Sequence, residues 1–250
     1  MINKSFKINM VIIIGSILLF LVLSYSEYMV RAIKPNNGNI SVKSLEIKES
    51  SDGMSFDLKY PEVEYGDNIV KDKINGSLRA QVLEFKQYIE DIYKEFISST
   101  PKELVDNSIS SEFRGMSDFE YEIIDNILSI RLNLIQFTGG AHPMTYRRDF
   151  NFDLKTGNVL KFGDLFNEEG KKVYKDKVDS IIRNVIEENP DNYFVNEFKG
   201  IGDNVQYYLT KDNIVIFYQL YELAPYSAGI PEFKIPYSVF GGNINVDPLK

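Results

Sequence analysis

Three kinds of hydrophobic spacing alternate along this chain, and each predicts a different element. Met54, Phe56, Leu58 and Tyr60 recur at every second position, the period of a strand with one buried face. Ile40 to Ile47 reads as a partner strand, and the intervening Ser50-Ser51-Asp52-Gly53 predicts a hairpin turn. The period then changes. Ile74, Leu78, Val82, Phe85, Ile89, Ile92 and Phe96 step by three or four, which places them on one stripe of a helix. Asp67 supplies an N-cap carboxylate, and Ser98-Ser99-Thr100-Pro101 ends the run.

Alternation returns in Phe119-Tyr121-Ile123 and in Leu128-Ile130-Leu132-Leu134, with Asp125-Asn126 as the turn between them. Thr145 to Leu154 and Val159 to Phe162 flank a Lys155-Thr156-Gly157-Asn158 turn. A second amphipathic helix is predicted within Asp164 to Glu188, with Val178, Ile181, Ile182, Val185 and Ile186 inward and Pro190 stopping it. Val205 to Leu209, Ile214 to Tyr221 and Phe233 to Tyr237 then read as a closing set of strands. Hairpins with helices segregated from them give an α+β fold of antiparallel sheets with two main helices.

The third pattern lies at the N-terminus. Ile8 to Leu23 is apolar apart from Asn9, Gly15 and Ser16. A helix from Ile8 to Ser26 would be about 28 Å long, close to the ~30 Å hydrocarbon core of a bilayer. Lys4, Lys7 and the amino group precede it, so the positive-inside rule leaves the body outside the cell. Residues 1–34 are thus expected to form a signal anchor with one transmembrane helix and a juxtamembrane segment. The alternative is a secreted protein, because Ser24-Tyr25-Ser26 also suits cleavage of a signal peptide after Ser26. Lys34-Pro-Asn-Asn-Gly-Asn39 reads as a linker. Beyond it we expect an upstream α+β subdomain over 40–140 and a C-terminal α+β domain over 141–245.

Charge sharpens this picture. The net charge is −8, yet residues 1–34 carry +3, leaving 24 basic and 35 acidic residues in the remainder. Nucleic acid is an unsuitable partner for such a body, since phosphates need Lys and Arg to displace counterions. A cationic partner would be steered toward it. There is no cysteine, which removes thiol catalysis, disulfides and Cys-ligated zinc. There is one histidine, so a His-rich metal site is impossible. No phosphate-binding loop motif is present. Neither a cofactor nor a metal is expected.

Two loops rich in glycine and proline carry the candidate chemistry. The first is Thr138-Gly139-Gly140-Ala141-His142-Pro143. The second is Ala224-Pro225-Tyr226-Ser227-Ala228-Gly229-Ile230-Pro231, entered through Tyr221-Glu222-Leu223. Proline fixes φ and glycine opens left-handed φ, so both loops have restricted backbones of the kind that recognition uses. The candidate binding residues are Gly139, Gly140, His142, Pro143, Tyr221, Glu222, Pro225, Tyr226 and Gly229. For His142, a structural hydrogen bond, a partner contact and catalysis are all open readings. Tyrosines near the second loop (Tyr218, Tyr221, Tyr226, Tyr237) suit either core packing or contact with a sugar or protein. Glycan hydrolysis would need a second carboxylate beside Glu222, for which Asp149 and Asp153 are the nearest candidates.

These segments, together with Asn151-Phe152-Asp153-Leu154-Lys155-Thr156-Gly157, Asp164-Leu165-Phe166 and Tyr207-Tyr208-Leu209-Thr210, resemble one bacterial domain family. It is the extracytoplasmic domain of the lysozyme-sensing anti-sigma factor RsiV, found also ahead of the catalytic domain in the peptidoglycan deacetylase PdaC. Tyr60-Pro61 and the helix with Ile74-Asn75 resemble the segment that precedes it in those proteins. The resemblance spans roughly residues 40 to 240. Only about nine residues precede the apolar run, and the chain ends at Lys250, so neither the sigma-holding segment nor the deacetylase domain is matched. The resemblance therefore implies a non-enzymatic, membrane-anchored module on the bacterial surface. Its expected partner is a basic secreted protein such as lysozyme, or peptidoglycan. A carboxylate-based wall hydrolase and an accessory envelope protein without a discrete ligand are the alternatives.

Overall fold

The computed structural model describes residues 40–51, 53–101 and 113–246. The expected N-terminal anchor and the linker lie outside the described residues, among which no helix is long and apolar enough to cross a membrane. From Ser41 onward the chain clusters as one compact unit.

The first layer is a sheet ordered β1-β2-β3-β4-β5. Its strands are β1 (Ser41–Ser51), β2 (Met54–Glu64), β3 (Phe113–Ile124), β4 (Ile127–Phe137) and β5 (Met144–Asp153). The β1–β2 hairpin closes with Ser51 opposite Met54, and Gly53 takes φ 77°, a left-handed value that favours glycine. β3 and β4 pair from Arg114↔Phe137 to Ile124↔Ile127 around the Asp125-Asn126 turn.

One pairing departs from the antiparallel expectation. β2 and β3 are parallel, with Met54 opposite Phe113 and Leu58 opposite Ser117. A parallel neighbour needs a crossover, and the helix between them provides it. This helix, α1 (Asn68–Ser99), starts where the Asp67 carboxylate accepts the Ile69 and Val70 amides at 2.9 and 3.1 Å. Ile74, Leu78, Val82, Phe85 and Ile89 are all buried. Val82, Phe85 and Ile89 pack with Phe56, Leu58, Leu132 and Leu134 of the sheet, while Ile92 and Phe96 are half-buried. Asn75 locks the helix to β2, accepting the Val63 amide at 2.8 Å and donating to the Val63 carbonyl at 2.9 Å.

The second layer is smaller. A short turn (Phe162–Leu165) leads into α2 (Glu168–Glu188), which therefore begins four residues after Asp164. Asp164 instead accepts the Lys161 amide, and Asn167 caps α2 through the Gly170 amide. The antiparallel strands β6 (Tyr207–Leu209), β7 (Asn213–Phe217) and β8 (Glu232–Pro236) form a sheet ordered β6-β7-β8. Val178, Ile182 and Ile186 of α2 meet Leu209, Ile214, Ile216, Phe233 and Ile235 in one core. The fold is thus α+β, rich in antiparallel pairs, with two helices.

A buried polar junction ties the layers together. Ser129 donates to Asn151 at 2.7 Å, Asn151 donates to the Tyr207 carbonyl at 2.8 Å, and Ser129 accepts the Leu209 amide at 2.8 Å. These bonds satisfy the outer edge of β6, which would otherwise be buried with free backbone groups.

Candidate functional site

The first glycine-rich loop connects β4 to β5. Gly139 takes φ 84°, a left-handed value that favours glycine, whereas Gly140 stands in open space. The loop then presents His142 and Pro143 just before β5 begins.

The second loop is reached differently from the sequence expectation. β7 stops at Phe217, and the strand predicted as far as Tyr221 gives way to a turn over Gln219–Glu222. Two features explain the stop. The Glu222 amide returns to the Gln219 carbonyl at 3.1 Å while the Glu222 carboxylate accepts the Gln219 amide. The Gln219 side chain also clamps β5, accepting the Arg147 amide at 2.9 Å and donating to the Arg147 carbonyl at 2.8 Å. Tyr221 is consequently held at φ 68°, uncommon for a residue with a side chain. Pro225, at φ −66°, then opens a single helical turn (Tyr226–Ala228). Gly229 closes it at φ 75° and donates its amide to the Tyr226 carbonyl at 3.0 Å.

These two loops, more than 75 residues apart in sequence, meet. The His142 ring stacks on the Tyr226 ring at 3.7 Å between centroids, 22° from parallel. The Tyr226 hydroxyl donates to the Pro143 carbonyl at 2.9 Å. The Tyr221 hydroxyl lies 3.3 Å from His142 Nε2, and the Tyr221 and Tyr226 rings are 5.8 Å apart. With Nδ1 carrying the proton, the imidazole donates to the Pro143 carbonyl at 3.1 Å and Nε2 accepts from Tyr221. The result is an aromatic cluster that remains accessible, with Tyr221 49% exposed. Of the nine candidate residues, His142, Pro143, Tyr221 and Tyr226 touch one another. Gly139, Pro225 and Gly229 shape the two backbones, Glu222 closes the turn, and Gly140 has open space where a side chain would stand.

Residues not singled out in the sequence hold this cluster in place. Arg147 of β5 bonds Asn133 of β4 at 3.0 Å, pairs with Glu232 of β8, and lies over the Phe217 ring at 5.5 Å. A third segment reaches the same end of the molecule: the Phe194 amide donates to the Leu223 carbonyl at 2.7 Å, leaving Phe194 and Val195 39% and 46% exposed. No local motif marks these residues, since their roles come from partners 14 to 85 positions away in sequence.

The acids considered for hydrolysis each hold backbone groups. Asp153 accepts the Lys155 amide at 3.0 Å and the Thr156 hydroxyl at 2.9 Å, the pattern of a turn-forming aspartate. Asp149 accepts the Tyr207 amide at 3.3 Å, and burial pushes its pKa up to about 6. Among the described residues, no cluster of three or more His, Cys, Asp or Glu side chains is arranged to hold a metal ion.

Comparison with known proteins places both halves of this surface. Residues 47–145 match the family described as Deacetylase PdaC, and residues 163–238 match a protein family of unknown function, DUF3298. The first loop therefore comes from one matched region and the second from the other. The chain is 29% identical over 208 residues to the anti-sigma-V factor RsiV of Bacillus subtilis (strain 168), covering 80% of this chain and 68% of that protein. A DUF3298 family member from Bacteroides fragilis NCTC 9343 superposes with TM-score 0.59 at 22% identity, covering 85% of this chain and 96% of that one. A DUF3298 protein from Pseudomonas aeruginosa PAO1 gives 0.56 at 19%, covering 84% and 95%. The two solved structures share the fold.

Proposed function

We propose, for a chain that joins a PdaC-type region to a DUF3298 region and resembles RsiV over most of its length, a non-enzymatic binding module held outside the cell. It is anchored through the N-terminal apolar segment and recognises a basic, lysozyme-like protein or a wall component through the two loops. The observation that carries this reading is the stacked His142–Tyr226 pair with Tyr221 beside it. Loops from both matched regions are fastened into one accessible aromatic surface, and rigid tyrosines are favoured anchors because little entropy is lost on binding. The acidic balance of the body favours a cationic partner through steering. The backbone bonds held by Glu222, Asp149 and Asp153 favour binding over carboxylate hydrolysis.

Calorimetric titration of the full chain with lysozyme and with soluble wall fragments tests the proposal. One of the two binds, more weakly as salt rises, and Tyr226→Ala lowers affinity about tenfold or more. Well-folded protein that binds neither, or binding that Tyr226→Ala leaves unchanged, contradicts it.

A further inference from the structure

The face of the first sheet that carries α1 holds a groove whose lining includes no residue of the two loops. β5 is an outer strand of the sheet, bonded to β4. Its register sets Tyr146 opposite Leu134 and Arg148 opposite Leu132. Leu132 and Leu134 share a core with Val82, Phe85 and Ile89 of α1, so Tyr146 and Arg148 project on the α1 side. Alternation sends Arg147 and Asp149 the other way, where they meet Glu232 and Tyr207.

Between α1 and this strand lies an open groove of about 350 Å³. Phe85 and Leu134 form its floor, and Tyr88 and Tyr146, 50% and 38% exposed, line it. Gln81, Glu84 and Arg148 complete the lining. Gln81, Glu84 and Tyr88 recur at three- and four-residue steps, which brings them to one side of α1.

The polar groups here are unspent. Some long side chains of α1 are engaged: Lys86 bonds Glu90 at 2.6 Å and Glu49 of β1 at 3.0 Å, and Asp91 bonds Gln87 at 2.9 Å and Lys94 at 3.1 Å. The side chains of Gln81, Glu84, Tyr88, Tyr146 and Arg148 make no hydrogen bond or salt bridge among the described residues. An amide, a carboxylate, a guanidinium and two phenols therefore surround an apolar floor with their bonding capacity free.

We infer that this groove is a saccharide-binding site. A pyranose ring has an apolar C–H face that suits tyrosine and a rim of hydroxyls that both donate and accept. Carboxylate and guanidinium together complement such a rim, and their opposite charges cancel, which suits an uncharged, hydroxyl-rich ligand. The volume is at the small end of the roughly 300–1,000 Å³ range of ligand sites, enough for one or two rings. The inference does not depend on what the two loops bind.

Chitotriose, whose β-1,4-linked rings present flat C–H faces, is a suitable probe. Saturation-transfer NMR and calorimetry on the full chain should show saturable binding, with Kd on the order of 0.1–1 mM. Tyr88→Ala and Tyr146→Ala should each weaken it at least about tenfold without altering the circular dichroism spectrum. Lys172→Ala, on α2 and outside both the groove and the loops, should leave it intact. Absence of saturation up to about 10 mM, or binding that survives both groove substitutions, overturns the inference.

Discussion

In the first layer the strands run 10 to 12 residues and pair along nearly their whole length, whereas in the second they run three to five. The second core relies on rings instead. Phe166 is packed by Phe162 at 5.4 Å, Tyr174 at 4.6 Å and Phe240 at 4.9 Å, and Phe162 also meets Tyr207 at 5.1 Å. Long ladders fix a register and leave little chain free, so the first layer contributes one short loop to the His142–Tyr221–Tyr226 cluster. Short strands joined by long connections leave chain available, and the second layer contributes the larger loop together with the Phe194 segment. The difference teaches that the regular half positions the surface and the irregular half supplies most of it.

The sharpest way to break that comparison is to remove a ring. Phe166→Ala should cost about 3–5 kcal/mol, because a fully buried side chain leaves a cavity that cannot collapse. Ile74→Ala in the first layer should cost about 2–5 kcal/mol. Chemical denaturation of each should show one transition for the described body; two separate transitions would mean the layers fold independently.

A smaller effect comes from pH. Asp149 titrates at about 6 in the fold against an ordinary 3.8, so the folded state holds its proton where the unfolded chain has lost it. The stability this confers is present below about pH 4 and lost as pH rises through 6, amounting to a few kcal/mol at most. Asp149→Asn should flatten the decline between those values in thermal melts recorded across pH.

Cutting the junction ranks next. Asn151→Ala leaves the Tyr207 carbonyl without its side-chain donor and Ser129 without its acceptor, at a cost of about 1–3 kcal/mol. Hydrogen exchange should then rise first along β6. The smallest expected change is Asp67→Ala, which removes the α1 cap for about 1 kcal/mol and leaves the second layer untouched.

Much of the first layer was legible because its elements are long and their periods clean: the two hairpins, the Asp67 cap and the α1 stripe all follow from spacing. The parallel pairing of β2 with β3 was not, since a strand's pattern records which face is buried and not which strand lies alongside. β7 was overextended for a related reason. Ile216-Phe217-Tyr218 continues the apolar run, but the stop at Phe217 is made by Gln219 reaching Arg147 and by Glu222 closing a turn. The loops themselves were visible as glycine and proline. Their meeting was not, because the His142–Tyr226 stack depends on two connections whose ends are positioned by different sheets.

The central claim is that both loops act as one recognition surface. Amide chemical-shift mapping of isotopically labelled protein, on addition of lysozyme or soluble wall fragments, addresses it directly. The account predicts that amides of 138–142 and 221–229 shift together along a single titration curve. Shifts in one loop without the other, or confined to surfaces away from both, would contradict it.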